Sequence, residues 1–574
     1  MRSKVRFTIL AIVLTLAVPA FSQSLPPGVA KKATAGGITE YLFPNGLRVL
    51  LYPDQTSPKV TVNMTYLVGS RHEGYGETGM AHLLEHMDFI ETTDGRQIKK
   101  EIVDHGAVWN GSTSYDRANY YETVTATDEN LKWALGLEAD RMVKVKFTKA
   151  LLDTEMTVVR SEFERGENNP QSILEERVVA TAYLWHNYGK STIGSRDDIE
   201  KVPVDRLEAF YQKYYRPDNA VLVIAGQFDP AKALGFVADT VGKIPRPTRK
   251  LDQTYTVEPA QDGERFVELR RVGSGQEVMM AYHAPAAGHP DSVALQVLAG
   301  IMSGGGGGGG QGRLSKALVD TKKALSANMS FQLLHDPGFV LVSANLSNDQ
   351  SLDDVKRFRD QFYGASHGEL VIVGQCDRAA LLNAAAELLG NWNSPAPYQR
   401  LATNYKKAEP INQKIETPDK ANAQFEAGLR IQMSQGDPDY PAMILANYMF
   451  GGSITARMPD RIRNREGLSY GASSAFTVPA DGDAAMFAAT VSSNPANTPK
   501  VEASFKEELA KALQSGFTAE EVAAAKKAYL DAQRVLRSQD AALLSLLASR
   551  VSRPHHDVER TTGSQNPGAH AGAD

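Results

Sequence analysis

Two stretches of this chain repeat each other. Arg206–Asp229 reads RLEAFYQKYYRPDNAVLVIAGQFD, and Asp354–Asp377 reads DVKRFRDQFYGASHGELVIVGQCD. At a constant offset of 148, eight of 24 positions are identical, including Phe210/Phe358, Tyr215/Tyr363 and Leu222–Ile224/Leu370–Ile372. Both copies read as helix, turn, strand. A fainter repeat relates Gly312–Phe331 to Ala456–Ala475 at offset 144. A chain with this pattern folds as related units rather than around one core. Its 574 residues fit about three to five domains.

The halves are unequal. The first has a long lead before its helix–strand segment, starting at the Pro44-Asn45-Gly46 turn; the second has only Asp349–Asp353 after the strand-like Phe339–Leu346. Amphipathic helices are expected at Lys500–Gln514 and Thr518–Arg537, and nothing equivalent follows Leu346. The simplest account is a two-half protein that lacks the end of one half and the start of the next. The expected divisions are 1–22 as a signal peptide, 36–245 as an N-terminal domain, with the first folded region beginning near Tyr41, and 263–348 as a second, partial one. Residues 353–394 follow as the remnant of a third, 413–549 as a C-terminal domain and 550–574 as a disordered tail.

Apolar residues make up 42% and charged residues 22%, which excludes a disordered or multi-span membrane chain. The net charge of -5 gives no reason to expect nucleic acid as a partner. The single cysteine, Cys376, excludes an intrachain disulfide or multi-cysteine metal site. Arg2, Lys4 and Arg6 precede an apolar run, Phe7–Phe21, and Ala20-Phe21-Ser22 offers a cleavage site. Export to the periplasm or medium is therefore expected, with no stable membrane insertion after cleavage. An uncleaved anchor is the alternative, although 15 residues are short for a bilayer span.

His82-Leu83-Leu84-Glu85-His86 is the strongest local signal. On a helix, residues four apart share a face, so both imidazoles can reach one ion. Neutral imidazoles suit Zn²⁺, which takes a third protein ligand and leaves a position for water. Glu85, three residues from His82, can lean over that face as a general base. Two surface histidines on an amphipathic helix would read the same way. Glu155 and Glu162 lie two helical turns apart on one face of a predicted helix, with Val158 and Val159 between them. They can supply the third ligand or form a solvated acidic face.

The motif His82-x-x-Glu85-His86 with Glu155 and Glu162 downstream resembles the pitrilysin/insulysin family of zinc metallopeptidases. The separation from His86 to Glu162 is 76 residues, as in that family, and Pro44-Asn45-Gly46-Leu47 and Trp109–Ser114 look similar too. The resemblance implies α+β domains, each a mainly antiparallel sheet with helices on one face. Two such halves form a clam shell, the second incomplete here. It implies Zn²⁺ on His82, His86 and Glu162, with Glu155 in support and Glu85 as the base. Asn110 would lie on an edge strand to which substrate peptide adds. Arg463 and Tyr470, seven residues apart, would bond the substrate backbone and the developing oxyanion; a solvated basic stretch is the alternative for Arg463. The function implied is an endopeptidase for short unfolded peptides. The alternative is a catalytically impaired relative that binds peptide or acts as a scaffold, alone or with a second copy or partner chain.

Gly304–Gly310 is no phosphate loop, because Arg313-Leu314-Ser315 follows instead of Gly-Lys-Ser/Thr. It reads as a flexible link. His555 and His556 sit in the expected tail.

Overall fold

The computed structural model describes residues 25–271, 275–303, 312–346, 361, 370–373, 376–393, 395–396, 403–417, 420–479, 482–540 and 542–544. The expected signal segment, the glycine run and the histidines of the tail lie outside them.

Seven strands form the first sheet: β1 (Ala30–Ala35), β2 (Ile38–Leu42), β3 (Arg48–Pro53), β4 (Lys59–Tyr66), β5 (Val108–Thr113), β6 (Ala118–Thr125) and β7 (Ala220–Gly226). Their order is β1-β2-β3-β7-β4-β6-β5, with β5 at an edge. Only β3 and β7 pair in parallel. Alternation sets the faces: Val60, Val62, Met64 and Tyr66 of β4 are buried, while Thr61, Asn63 and Thr65 between them are half-buried. On the apolar face lie α1 (Met80–Met87), α3 (Asp128–Val143) and α7 (Val204–Tyr214), whose Met80, Leu84, Leu135 and Phe210 share one core with the strands. Helices α2 (Ile98–Asp104), α4 (Lys149–Glu167), α5 (Pro170–Ala182), α6 (Arg196–Lys201) and α8 (Pro230–Asp239) complete this unit.

Two smaller antiparallel sheets follow. One is β8 (Glu277–His283), β9 (Ala324–Gln332) and β10 (Phe339–Leu346), ordered β8-β10-β9, with α9 (Ser292–Ser303) against β9. After α10 (Arg378–Leu389) comes β11 (Ala423–Gln432), α11 (Tyr440–Asn447), β12 (Ser469–Thr477) and β13 (Ala484–Ser493), ordered β11-β13-β12. Helices α12 (Thr498–Ser515) and α13 (Ala519–Arg537) close the series. Val491 of β13 and Phe505 of α12 meet in its core. The protein is α+β, with mainly antiparallel sheets.

The first and second sheets meet through an apolar cluster, in which Tyr183 and Tyr188 pack on Phe339 and Leu341, and polar contacts add to it. Arg71 Nε binds Asp116 Oδ1 at 2.8 Å, and its Nη1 reaches Asp336 Oδ2 of the second sheet's β9–β10 turn at 3.1 Å. Asn494, just after β13, donates to Glu164 of α4 at 3.1 Å. Lys527 of α13 donates to the Asp104 carbonyl at 3.1 Å. Strand β12 lies alongside α4.

Two expectations differ from the structure. The sheet starts at Ala30, before the expected 36 and Tyr41, because β1 pairs with β2 through its backbone, with one side-chain bond between the Thr34 and Thr39 hydroxyls at 3.3 Å; all six β1 residues are exposed. Leu370–Val373, the strand of the second repeat copy, carry no strand. In the first copy β7 lies between β3 and β4, both supplied by residues before it. Among the described residues no such strands stand beside the second copy, and a strand without neighbours leaves its backbone groups unpaired. Leu370 and Ile372 are exposed accordingly. Most of that copy's helix lies outside the described residues.

Candidate metal centre

Helix α1 buries Met80, Ala81, Leu83, Leu84 and Met87 in the core, and this turns His82, Glu85 and His86 toward α4 and β5. Helix α4 starts at Thr148, whose side chain accepts from Leu151 N–H. It buries Val158 and Val159, and so presents Glu155 and Glu162 to α1.

The two helices make a triangle of donor atoms. His82 Nε2 and His86 Nε2 lie 3.6 and 3.4 Å from the same atom, Glu162 Oε2. Among the described residues this is the one His/Cys/Asp/Glu group arranged so that each side chain could give an ion one atom. Ligand atoms about 2.0–2.1 Å from one zinc in a tetrahedron stand roughly 3.4 Å apart. Glu162 Oε2 is also buried with no hydrogen-bond partner among the described residues. Such an orphan is costly unless something else satisfies it. Two imidazoles and a carboxylate suit zinc, so the residues fit the ion.

Electrostatics agree with the geometry. Burial pushes the His82 imidazole down to about 4, so it is neutral as a ligand must be. Burial would also lower His86, but the Glu155 and Glu162 carboxylates carry it up to about 9. Glu155 lies behind the triangle, its Oε2 3.2 Å from His86 Nδ1. Burial pushes its carboxyl up, yet Lys99, the bond to His86 and Arg463 together hold it at about 2. Such a carboxylate fixes the ring's orientation and tautomer.

Glu85 takes no part in the triangle. Thr113 Oγ1 of β5 donates to Glu85 Oε2 at 2.7 Å. Burial raises the Glu85 carboxyl, and that bond pulls the other way. Strand β5 passes so close that a Cβ on Gly111 would stand 2.9 Å from Glu85 Cγ. Asn110, next to it on this edge strand, is exposed.

Arg463 and Tyr470 arrive from the third sheet. Arg463 lies in a π-helical turn, Asp460–Arg465, and Tyr470 on β12. Tyr470 has its ring centre 6.2 Å from that of His86, and the Arg463 guanidinium sits 5.3 Å from the Tyr470 ring centre. Arg463 Nε is buried without a hydrogen-bond partner among the described residues. All the residues expected at the site thus converge, with Asn110 on the neighbouring edge. Thr113 and Lys99 were not singled out from sequence, since nothing in their spacing marks them. Cys376 is a free, exposed cysteine.

The profile described as insulinase (peptidase family M16) matches residues 48–196, and that of the peptidase M16 inactive domain matches 201–355 and 349–529. The chain belongs to peptidase family M16. Among its relatives, the zinc protease PqqE of Helicobacter pylori is 31% identical over 294 residues, which covers 50% of this chain and 66% of that protein. An uncharacterized zinc protease of Rickettsia bellii is 32% identical over 187 residues, or 32% of this chain and 45% of that one. The chain thus spans about half to two thirds of the length of these M16 relatives. The crystal structure of a protease from Helicobacter pylori matches with a TM-score of 0.51 and 28% identity, covering 56% of this chain and 77% of that chain.

Proposed function

We propose that this M16 protein is a zinc-dependent endopeptidase that cuts short, unfolded peptides. The observation that carries this reading is the triangle of His82 Nε2, His86 Nε2 and Glu162 Oε2 with Glu85 beside it. Zinc bound there would supply a Lewis acid and bring the pKa of its water to about 7. Glu85 takes the proton of the attacking water and later passes it to the leaving amine. Thr113 holds the carboxylate in line, and its raised proton affinity suits that exchange. Glu155 keeps His86 oriented. Arg463 and Tyr470 donate to the oxygen that becomes negative as water adds to the scissile carbonyl. The exposed edge of β5 at Asn110 offers backbone groups to an extended peptide, which selects unfolded substrates over sequence.

The relatives carry the name zinc protease, which supports the same reading. Export fits the apolar Phe7–Phe21 segment. No helix among the described residues is long and apolar enough to cross a membrane. A second reading, a peptide-binding relative without turnover, is favoured by one observation: Leu370–Val373 lack the strand neighbours that β7 has.

The test is elemental analysis. The chain should hold about one zinc, and His86→Ala should hold none. Unchanged stoichiometry in His86→Ala would sink the assignment.

A further inference from the structure

Helix α1 has eight residues, and each histidine lies within a turn of one of its ends. A helix this short does not sustain itself, and its end groups need partners from outside. Its N-cap is Gly79, which has no side chain to accept a bond. No larger residue fits there: φ is 90°, and an added Cβ would stand 2.5 Å from the Ile193 carbonyl oxygen. Two of the donors there go to Glu73 instead, while the Met80 N–H donates to the Glu77 carbonyl at 3.1 Å. Gly79 N–H and Ala81 N–H each donate to one of its carboxylate oxygens at 2.9 Å. Glu73 is 1% exposed. Burial pushes its carboxyl up to about 8 against the pull of these two donors.

The other end is held in the same manner. Arg141 is 0% exposed, and its Nε donates to the carbonyl of Asp88, the residue that closes α1, at 3.3 Å. Its Nη1 donates to Glu122 of β6 at 3.1 Å and to Glu138 of α3. A cation at the C-terminus complements the helix dipole. Apolar side chains of similar volume often stabilise a core as well as buried ions do. Buried ionisable groups tied to both ends of the helix that bears the histidines therefore call for a role beyond stability.

We propose that Glu73 is a positioning residue for the metal site: it fixes the start of α1 so that His82 and His86 meet Glu162, with Arg141 as its counterpart at the far end. This rests on the zinc reading above. The test uses the full chain. Glu73→Gln keeps the shape but sets an amide NH₂ against one of the two N–H donors. In the metal-free protein, amide hydrogen exchange at residues 79–84 should quicken while the strands of the first sheet keep their protection. The zinc dissociation constant from chelator competition should rise about 10- to 100-fold, and the absorption spectrum of the Co²⁺ form should change. Val237→Ala, on the buried face of α8, is the control for lost stability and should leave affinity and spectrum alone.

Unchanged exchange in Glu73→Gln overturns the proposal. So does faster exchange with unaltered zinc affinity and Co²⁺ spectrum, which would make Glu73 a structural cap alone, and so does an equal loss of affinity in Val237→Ala. A wild-type chain that takes up no zinc overturns the metal reading and the positioning role with it. The exchange data need no metal and separate that outcome from the others.

Discussion

Glu85 and His86 are adjacent, yet their chemistry differs: His86 points a nitrogen into the donor triangle, and Glu85 is tied to Thr113 outside it. Glu85→Gln therefore removes a proton acceptor and no ligand. Zinc content should stay, and kcat should fall by about 10²–10⁴; loss of zinc in this variant would make Glu85 a ligand and contradict the account. Tyr470→Phe removes one hydroxyl and almost no volume. If that hydroxyl meets charge only in the transition state, kcat and kcat/KM fall together by about 10²–10³ with zinc and folding intact. Tyr405, in the linker before β11, whose backbone N–H donates to Asp483 just ahead of β13, is the control. Equal effects from Tyr470→Phe and Tyr405→Phe would leave Tyr470 without a special role.

Elements differ in how far their own residues determine them. The pairs His82/His86 and Glu155/Glu162 were legible in sequence because helical spacing is local: four residues, or seven, return to the same face. Strands depend on neighbours elsewhere in the chain. Leu370–Val373 match the β7 pattern residue for residue in three of four positions, but no β3 or β4 precedes them, and they form no strand. Conversely, β1 has no apolar alternation to read, yet it pairs with β2. Helix α10 shows the same deficit, for none of its residues is buried and Leu382 and Leu388 are exposed. Limited proteolysis should therefore cut first between Ser347 and Pro410. It should leave an N-terminal fragment that keeps zinc but has no activity, since Arg463 and Tyr470 are gone. Resistance of the whole chain as one cooperative unit, together with rapid turnover, would refute the claim that missing segments weaken the second half.

At the scale of the molecule, the site draws on residues nearly 400 positions apart. Spacing alone could not place Arg463 and Tyr470 beside His86, because they come from a different sheet, whose β12 packs alongside α4 with Asn494 bonded to Glu164. In the sequence only the family resemblance pointed there. Glu73 and Arg141 left no local trace, since a buried charge that holds a helix end looks like any surface charge until the fold is known. The central claim is that this assembly hydrolyses peptide bonds through zinc and Glu85. The most direct measurement is hydrolysis of quenched-fluorescence peptides by the full chain, before and after a chelator and again after zinc is returned. The account predicts turnover that the chelator abolishes and zinc restores. Turnover indifferent to the chelator, or no turnover by a folded, zinc-loaded chain, would contradict it.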